Sequence, residues 1–125
     1  MMESIGLVIV SHSKHIAEGV VELISKVAKD VPITYVGGTE GGGIGTSFDQ
    51  VDRVVSENPA DTLLAFFDLG SAKMNLKMVT DFSDKSIIIN RVPIVEGAYN
   101  AAALLQAGAE LSVIQTQLAE LEINK

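Results

Sequence analysis

Four polar clusters interrupt the chain directly after apolar runs: Ser11-His12-Ser13-Lys14, Gly37-Gly38-Thr39-Glu40-Gly41-Gly42-Gly43-Ile44-Gly45, Asp68-Leu69-Gly70-Ser71 and Asn90-Arg91-Val92-Pro93. Together they offer an imidazole, a backbone loop with few side chains, a carboxylate and a helix start. A carboxylate that accepts from one ring nitrogen of a histidine fixes the tautomer and leaves the other nitrogen nucleophilic. It also stabilises the cationic ring formed when that nitrogen attacks phosphorus. Glycine backbone and a helix N-terminus both present N–H groups to anionic oxygens. The chemistry this set can do is phosphoryl transfer through His12, oriented by Asp68.

Each residue also has a plainer reading. His12 can be a turn residue, the glycine cluster a surface loop, Asp68 the cap of a turn and Ser71 a helix cap. Glu40 reads as a solvated charge, and His15 as a surface residue in the first turn of a helix. The glycine cluster holds six of the chain's eleven glycines. It lacks the Gly-Lys-Ser/Thr ending of a nucleotide-binding P-loop, and it does not satisfy the GxGxxG pattern of a dinucleotide site.

The elements that must position these residues follow from hydrophobic patterning. Ile5–Val10, Ile33–Val36, Thr62–Phe67 and Ser86–Ile89 are short, nearly continuous apolar runs, the pattern of strands buried on both faces of a parallel sheet. Between them lie helical stripes: Ile16, Val20, Leu23, Ile24 and Val27, then Phe48, Val51, Val54 and Val55. Thr46 or Ser47 can cap the second helix and Pro59 stops it. Ser71 can cap the third, which runs to about Phe82. A fourth begins near Glu96 and ends at Gly108, and a last stripe of Leu111, Ile114, Leu118 and Leu121 predicts a helix covering the sheet. The fold class is α/β, an open, mainly parallel sheet of about four strands with helices on both faces, in one domain spanning residues 1–125. In such a sheet every loop after a strand opens on the same edge, where ligands bind.

The formal charge of −7 disfavours nucleic acid and anionic membranes as partners. The absence of cysteine excludes disulfides and thiolate metal sites and suits a cytoplasmic protein. Two histidines and no HExxH spacing predict no metal bound by this chain. No apolar run reaches the ~20 residues of a membrane span. Met1-Met2-Glu3-Ser4 lacks the basic region of a signal peptide.

Val10-Ser11-His12-Ser13 with Ala17-Glu18-Gly19, the glycine loop through Gly45-Thr46-Ser47, Asp68-Leu69-Gly70-Ser71-Ala72 and Pro93-Ile94-Val95-Glu96-Gly97-Ala98 resemble one family over nearly the whole chain. That family is the phosphotransferase subunit of the phosphoenolpyruvate-dependent dihydroxyacetone kinase, with more distant similarity to mannose-class enzyme IIA domains. The resemblance implies that His12 accepts a phosphoryl group from the carrier protein HPr. It then passes the group to ADP held, with magnesium, on the nucleotide-binding subunit of the kinase. This chain would bind no cofactor of its own beyond a transient phosphohistidine, and it would act as a homodimer. Ending at Lys125, it would draw on separate HPr and enzyme I rather than fused copies. Asp68 would orient His12, and Gly38, Thr39, Gly70 and Ser71 would donate to the phosphoryl oxygens. Alternatives are a mannose-class enzyme IIA component of a sugar permease, a receiver module phosphorylated on Asp68, and a non-catalytic ligand-binding or regulatory module.

Overall fold

The computed structural model describes residues 4–125, so the reading of Met1–Glu3 lies outside the described residues. Strands and helices alternate as β1 (Ile5–Ser11), α1 (Lys14–Ser25), β2 (Ile33–Gly37), α2 (Phe48–Glu57), β3 (Thr62–Phe67), α3 (Gly70–Phe82), β4 (Ser86–Asn90), α4 (Ile94–Gln106) and α5 (Leu111–Ala119). The strands form one parallel sheet in the order β2-β1-β3-β4. Leu7 lies opposite Ile33 and Leu64, and Val10 opposite Val36 and Phe67.

The two central strands, β1 and β3, are covered on both faces, which is why their sequences are unbroken apolar runs. Their side chains alternate between two cores. Leu7, Ile9, Leu64 and Phe66 face Val20 and Ile24 of α1, Ala98, Ala101 and Ala102 of α4, and Ile114 and Leu118 of α5. Val8, Val10, Leu63, Ala65 and Phe67 face Val51, Val54 and Val55 of α2 and Ala72, Leu76 and Val79 of α3. The helices therefore split into two layers, and the last stripe is the covering helix its spacing predicts.

Several boundaries differ from the patterning. In α1 the buried residues are Ala17, Val20 and Ile24, whereas Ile16 and Leu23 are about half exposed. The apolar arc is wider than the face the sheet can cover, and Val27 falls beyond the helix end at Ser25. Helix α4 starts at Ile94, directly after Pro93, rather than near Glu96. Helix α2 is capped by Ser47, whose hydroxyl accepts from the N–H of Gln50 at 3.1 Å, and it ends before Pro59. Among the described residues, no helix is long and apolar enough to cross a membrane.

Leu64 is fully buried in the central strand β3. Leu64→Ala is expected to lower the unfolding free energy by about 2–5 kcal/mol through lost burial and the cavity left behind. Urea denaturation followed by far-UV circular dichroism checks it.

Candidate functional site

The strand order places the sheet's switch point between β1 and β3, because the chain leaves β1 toward β2 on one side while β3 lies on the other. The loop after β1 carries His12 and the loop after β3 carries Asp68. With Val10 in register with Phe67, the two loops stand side by side.

Asp68 is the hub. Its Oδ2 accepts from the Ser11 hydroxyl at 2.7 Å and from the His12 main-chain N–H at 2.9 Å. Its Oδ1 accepts from His12 Nδ1–H at 2.8 Å and from the Leu69 main-chain N–H at 2.7 Å. Burial alone would raise the carboxyl's pKa. The donors from His12, Ser11 and Leu69 outweigh it and hold the group below its ordinary value, so it is an anion at neutral pH. Ser11 is itself buried and also takes the Ser13 N–H on its hydroxyl at 3.0 Å.

An ionised carboxylate only accepts, so the proton of the neutral His12 ring sits on Nδ1 and the lone pair on Nε2. Nε2 points to the Ser71 hydroxyl, which hydrogen-bonds to it. The His12 side chain is 16% exposed, enough for one edge of the ring to meet solvent or a partner. Ser71 is the second residue of α3 and not its cap, as the sequence had suggested. The cap position is Leu69, with no side-chain bond, and the Ser71 hydroxyl goes to the imidazole instead. Gly70 and Ser71 lie in the first helical turn, where N–H groups have no intrahelical acceptor and the helix dipole favours an anion.

The glycine loop is held by its own hydrogen bonds. Gly38 N–H donates to Ser11 O at 3.1 Å, and Thr39 N–H to Gly43 O at 3.0 Å. Thr39 Oγ1 accepts from Gly43 N–H at 3.2 Å, and Gly45 N–H donates to the carbonyl of His12 at 2.9 Å. The main-chain donors of Gly38 and Thr39 are thus spent on β1 and inside the loop, which braces the histidine through Gly45, while the Thr39 hydroxyl, an acceptor here, keeps its own hydrogen to donate. Gly37 is required by close approach, since a Cβ there would lie 2.7 Å from Lys14 Cα. Gly38 adopts φ +78°, which disfavours other residues. Glu40 is no idle charge, because its carboxylate accepts from the Ser47 hydroxyl at 2.6 Å and ties the loop to α2.

His15 stays apart from the site, its side chain 95% exposed and facing Glu18 at 4.0 Å. Arg91, at the end of β4, pairs with Glu122 at 2.7 Å. Among the described residues, no group of three His, Asp or Glu could hold a metal ion. The acidic pocket a receiver module needs beside Asp68 is occupied by Ser11 and His12. Sequence reasoning gave no role to Ser11, nor to the exposed Ile44 of the glycine loop and the exposed Leu69 after Asp68. Isolated apolar residues in polar loops were the available signal for those two.

The model of the family described as PTS system fructose IIA component matches residues 6–115. The chain is 54% identical to the PTS-dependent dihydroxyacetone kinase phosphotransferase subunit DhaM of Lactococcus lactis, over 96% of this chain and 98% of that one. It is 49% identical to the phosphoryl donor subunit DhaM of dihydroxyacetone kinase 1 of Listeria innocua, over 98% and 99% of the two chains. A crystal structure of a protein of unknown function superposes with a TM-score of 0.84 at 26% identity, covering 98% of both chains.

The depressed Asp68 pKa has a sign that can be checked. The stability contributed by the ionised carboxylate is fully present above its ordinary pKa of 3.8 and is lost as the pH falls through the lower folded value. Asp68→Asn is expected to cost about 1–3 kcal/mol at neutral pH. The gap to wild type should close as the pH drops below about 3.8 in urea titrations run at a series of pH values.

Proposed function

Because the chain belongs to the phosphotransferase subunits of the dihydroxyacetone kinases, within the PTS fructose IIA component family, we propose that His12 is its relay nucleophile. It takes a phosphoryl group from phospho-HPr and delivers it to ADP on the nucleotide-binding subunit. The observation that carries this reading is the pair of ring contacts: Nδ1–H on Asp68, and Nε2 turned out toward Ser71 at the start of α3.

In the first half-reaction the Nε2 lone pair attacks phosphorus in line, the phosphorus–nitrogen bond to the donor imidazole breaks, and that imidazole leaves. His12 keeps its Nδ1 proton throughout. The positive charge gained by the ring is compensated by Asp68, which is already ionised and already aligned, so little reorganisation is needed. The Ser71 hydroxyl gives up the Nε2 lone pair and turns its hydrogen to a phosphoryl oxygen, beside the Gly70 and Ser71 N–H groups. Gly38 and Thr39 hold the loop that fixes His12 from its carbonyl side. In the second half-reaction an oxygen of ADP attacks the same phosphorus and His12 departs as a neutral imidazole, with the orienting hydrogen bond unchanged. Magnesium travels with the nucleotide on the partner.

Three further features support the partners. Exposed Ile16 in the first turn of α1, Ile44 of the glycine loop and Leu69 after Asp68 suit a protein visitor. The net charge of −7 suits a partner with a basic face. Strand β4 is an edge strand with half-buried Ile87, Ile88 and Ile89, which suits a homodimer contact on that side. The high identity to kinase subunits over nearly the full chain favours the kinase over a sugar permease as the destination. A cytoplasmic setting follows from these partners.

Incubation with phosphoenolpyruvate, enzyme I and HPr, read by intact mass, is expected to add one acid-labile phosphoryl group to the wild type and none to His12→Ala. Asp68→Asn should still be phosphorylated, at a rate lower by roughly 10³-fold, because the ring loses its orienting anion. An unmodified wild type would remove the relay reading.

A further inference from the structure

After α5 the chain folds back across the carboxyl edge of the sheet. Ile123 N–H donates to Arg91 O at 2.8 Å, and the Arg91–Glu122 ion pair fastens the same stretch to the loop after β4. Glu122, Ile123 and Asn124 are exposed, yet Lys125 turns inward and is half-buried. Its ammonium donates to the carbonyl of Phe67 at 2.6 Å and lies 4.4 Å from the centre of the Phe67 ring. Its own main-chain oxygen accepts from the Lys73 ammonium of α3 at 2.9 Å.

The carbonyl it meets is a particular one. Strands β3 and β4 pair as far as Phe66 opposite Asn90, so Phe67 runs one residue past the last pair. Lys125 supplies the donor there, on the peptide group that leads directly into Asp68. Rotation of that peptide would swing the carboxylate away from His12. The lysine therefore constrains the turn at the peptide before Asp68, and it sets a cation near the carboxylate. The groups around Asp68 are then His12, Ser11 and the Leu69 N–H, which donate to it, and the Lys125 ammonium nearby, with Lys73 holding Lys125 in place. Burial pulls the ammonium's pKa below its ordinary value while the Asp68 carboxylate pushes it back up, so the two charges sense each other.

The geometry points to Lys125 as a positioning residue for phosphoryl transfer: by holding the Phe67–Asp68 peptide it keeps the carboxylate on the Nδ1 of His12. This rests on the relay role of His12. A neutral side chain of similar length should leave docking of the donor intact and slow the chemical step, because the ring spends more time misaligned. An arginine can still donate to the same carbonyl and carry the charge.

The test uses the full chain as wild type, Lys125→Met and Lys125→Arg, with phospho-HPr as donor and rapid-quench measurement of phosphoryl uptake across donor concentrations. Lys125→Met is expected to lower the maximal rate about three- to fivefold, with the half-saturating donor concentration unchanged, and Lys125→Arg to restore it. A Lys125→Met rate equal to wild type, an effect on half-saturation alone, or a Lys125→Arg variant as slow as Lys125→Met would each overturn the assignment. A wild type that takes up no phosphoryl group would overturn the relay reading and this inference with it, an outcome separate from normal wild-type uptake with no effect of the variants.

Discussion

Each oxygen of Asp68 takes two donors, and those donors come from the end of β1, the loop after it and the residue following the aspartate itself. A carboxylate so enclosed would be costly to bury without them, and with them it is an anion held in one orientation. The position of the His12 ring, the exposure of its outer nitrogen and the path of the two loops all follow from satisfying that one group. The sheet contributes by bringing the ends of β1 and β3 together in register. Removing the carboxylate would leave Ser11 and the ring without their acceptor, and no other side chain in the site could replace it.

Much of this was legible in the sequence. The central strands announce themselves because a strand covered on both faces must be apolar at every position, and the abrupt change to Ser11-His12 or to Asp68 marks where each one leaves the core. A parallel sheet then sends both residues to the same edge, so their proximity could be argued before any coordinates. What could not be read was direction. A stripe such as that of α1 says which residues are apolar, and not how wide a face the sheet will cover, so Ile16 and Leu23 were assigned to the core and lie half exposed. Ser71 was placed correctly at a helix start, but whether its hydroxyl caps the helix or reaches across to an imidazole depends on a neighbour 59 residues away. Lys125 carries no periodic signal at all. Its place is set by how the chain returns after α5.

The glycine loop shows how composition can be informative and still misdirect. Clustered glycines make close backbone approach possible, and an anion is one thing that can approach. Here the approaching object is the protein's own backbone: Gly37 lies against Ser13 and Lys14, Gly38 donates to Ser11, and Gly45 donates to His12. These glycines therefore serve rigidity as much as access. The first turn of α3 has no side-chain cap, and N–H groups at a helix start suit an anion.

In the proposed relay an imidazole held at one nitrogen by Asp68 has only the other to offer, and this limits how the visits can be organised in time. A single outward nitrogen cannot face two proteins at once, so whoever delivers the group must depart before whoever collects it can arrive. Throughput then depends on turnover of visitors at one doorway, and very tight binding by either would stall the other. A few exposed apolar side chains, such as Ile16, Ile44 and Leu69, suit that traffic, because they offer enough contact to orient a guest and too little to keep it.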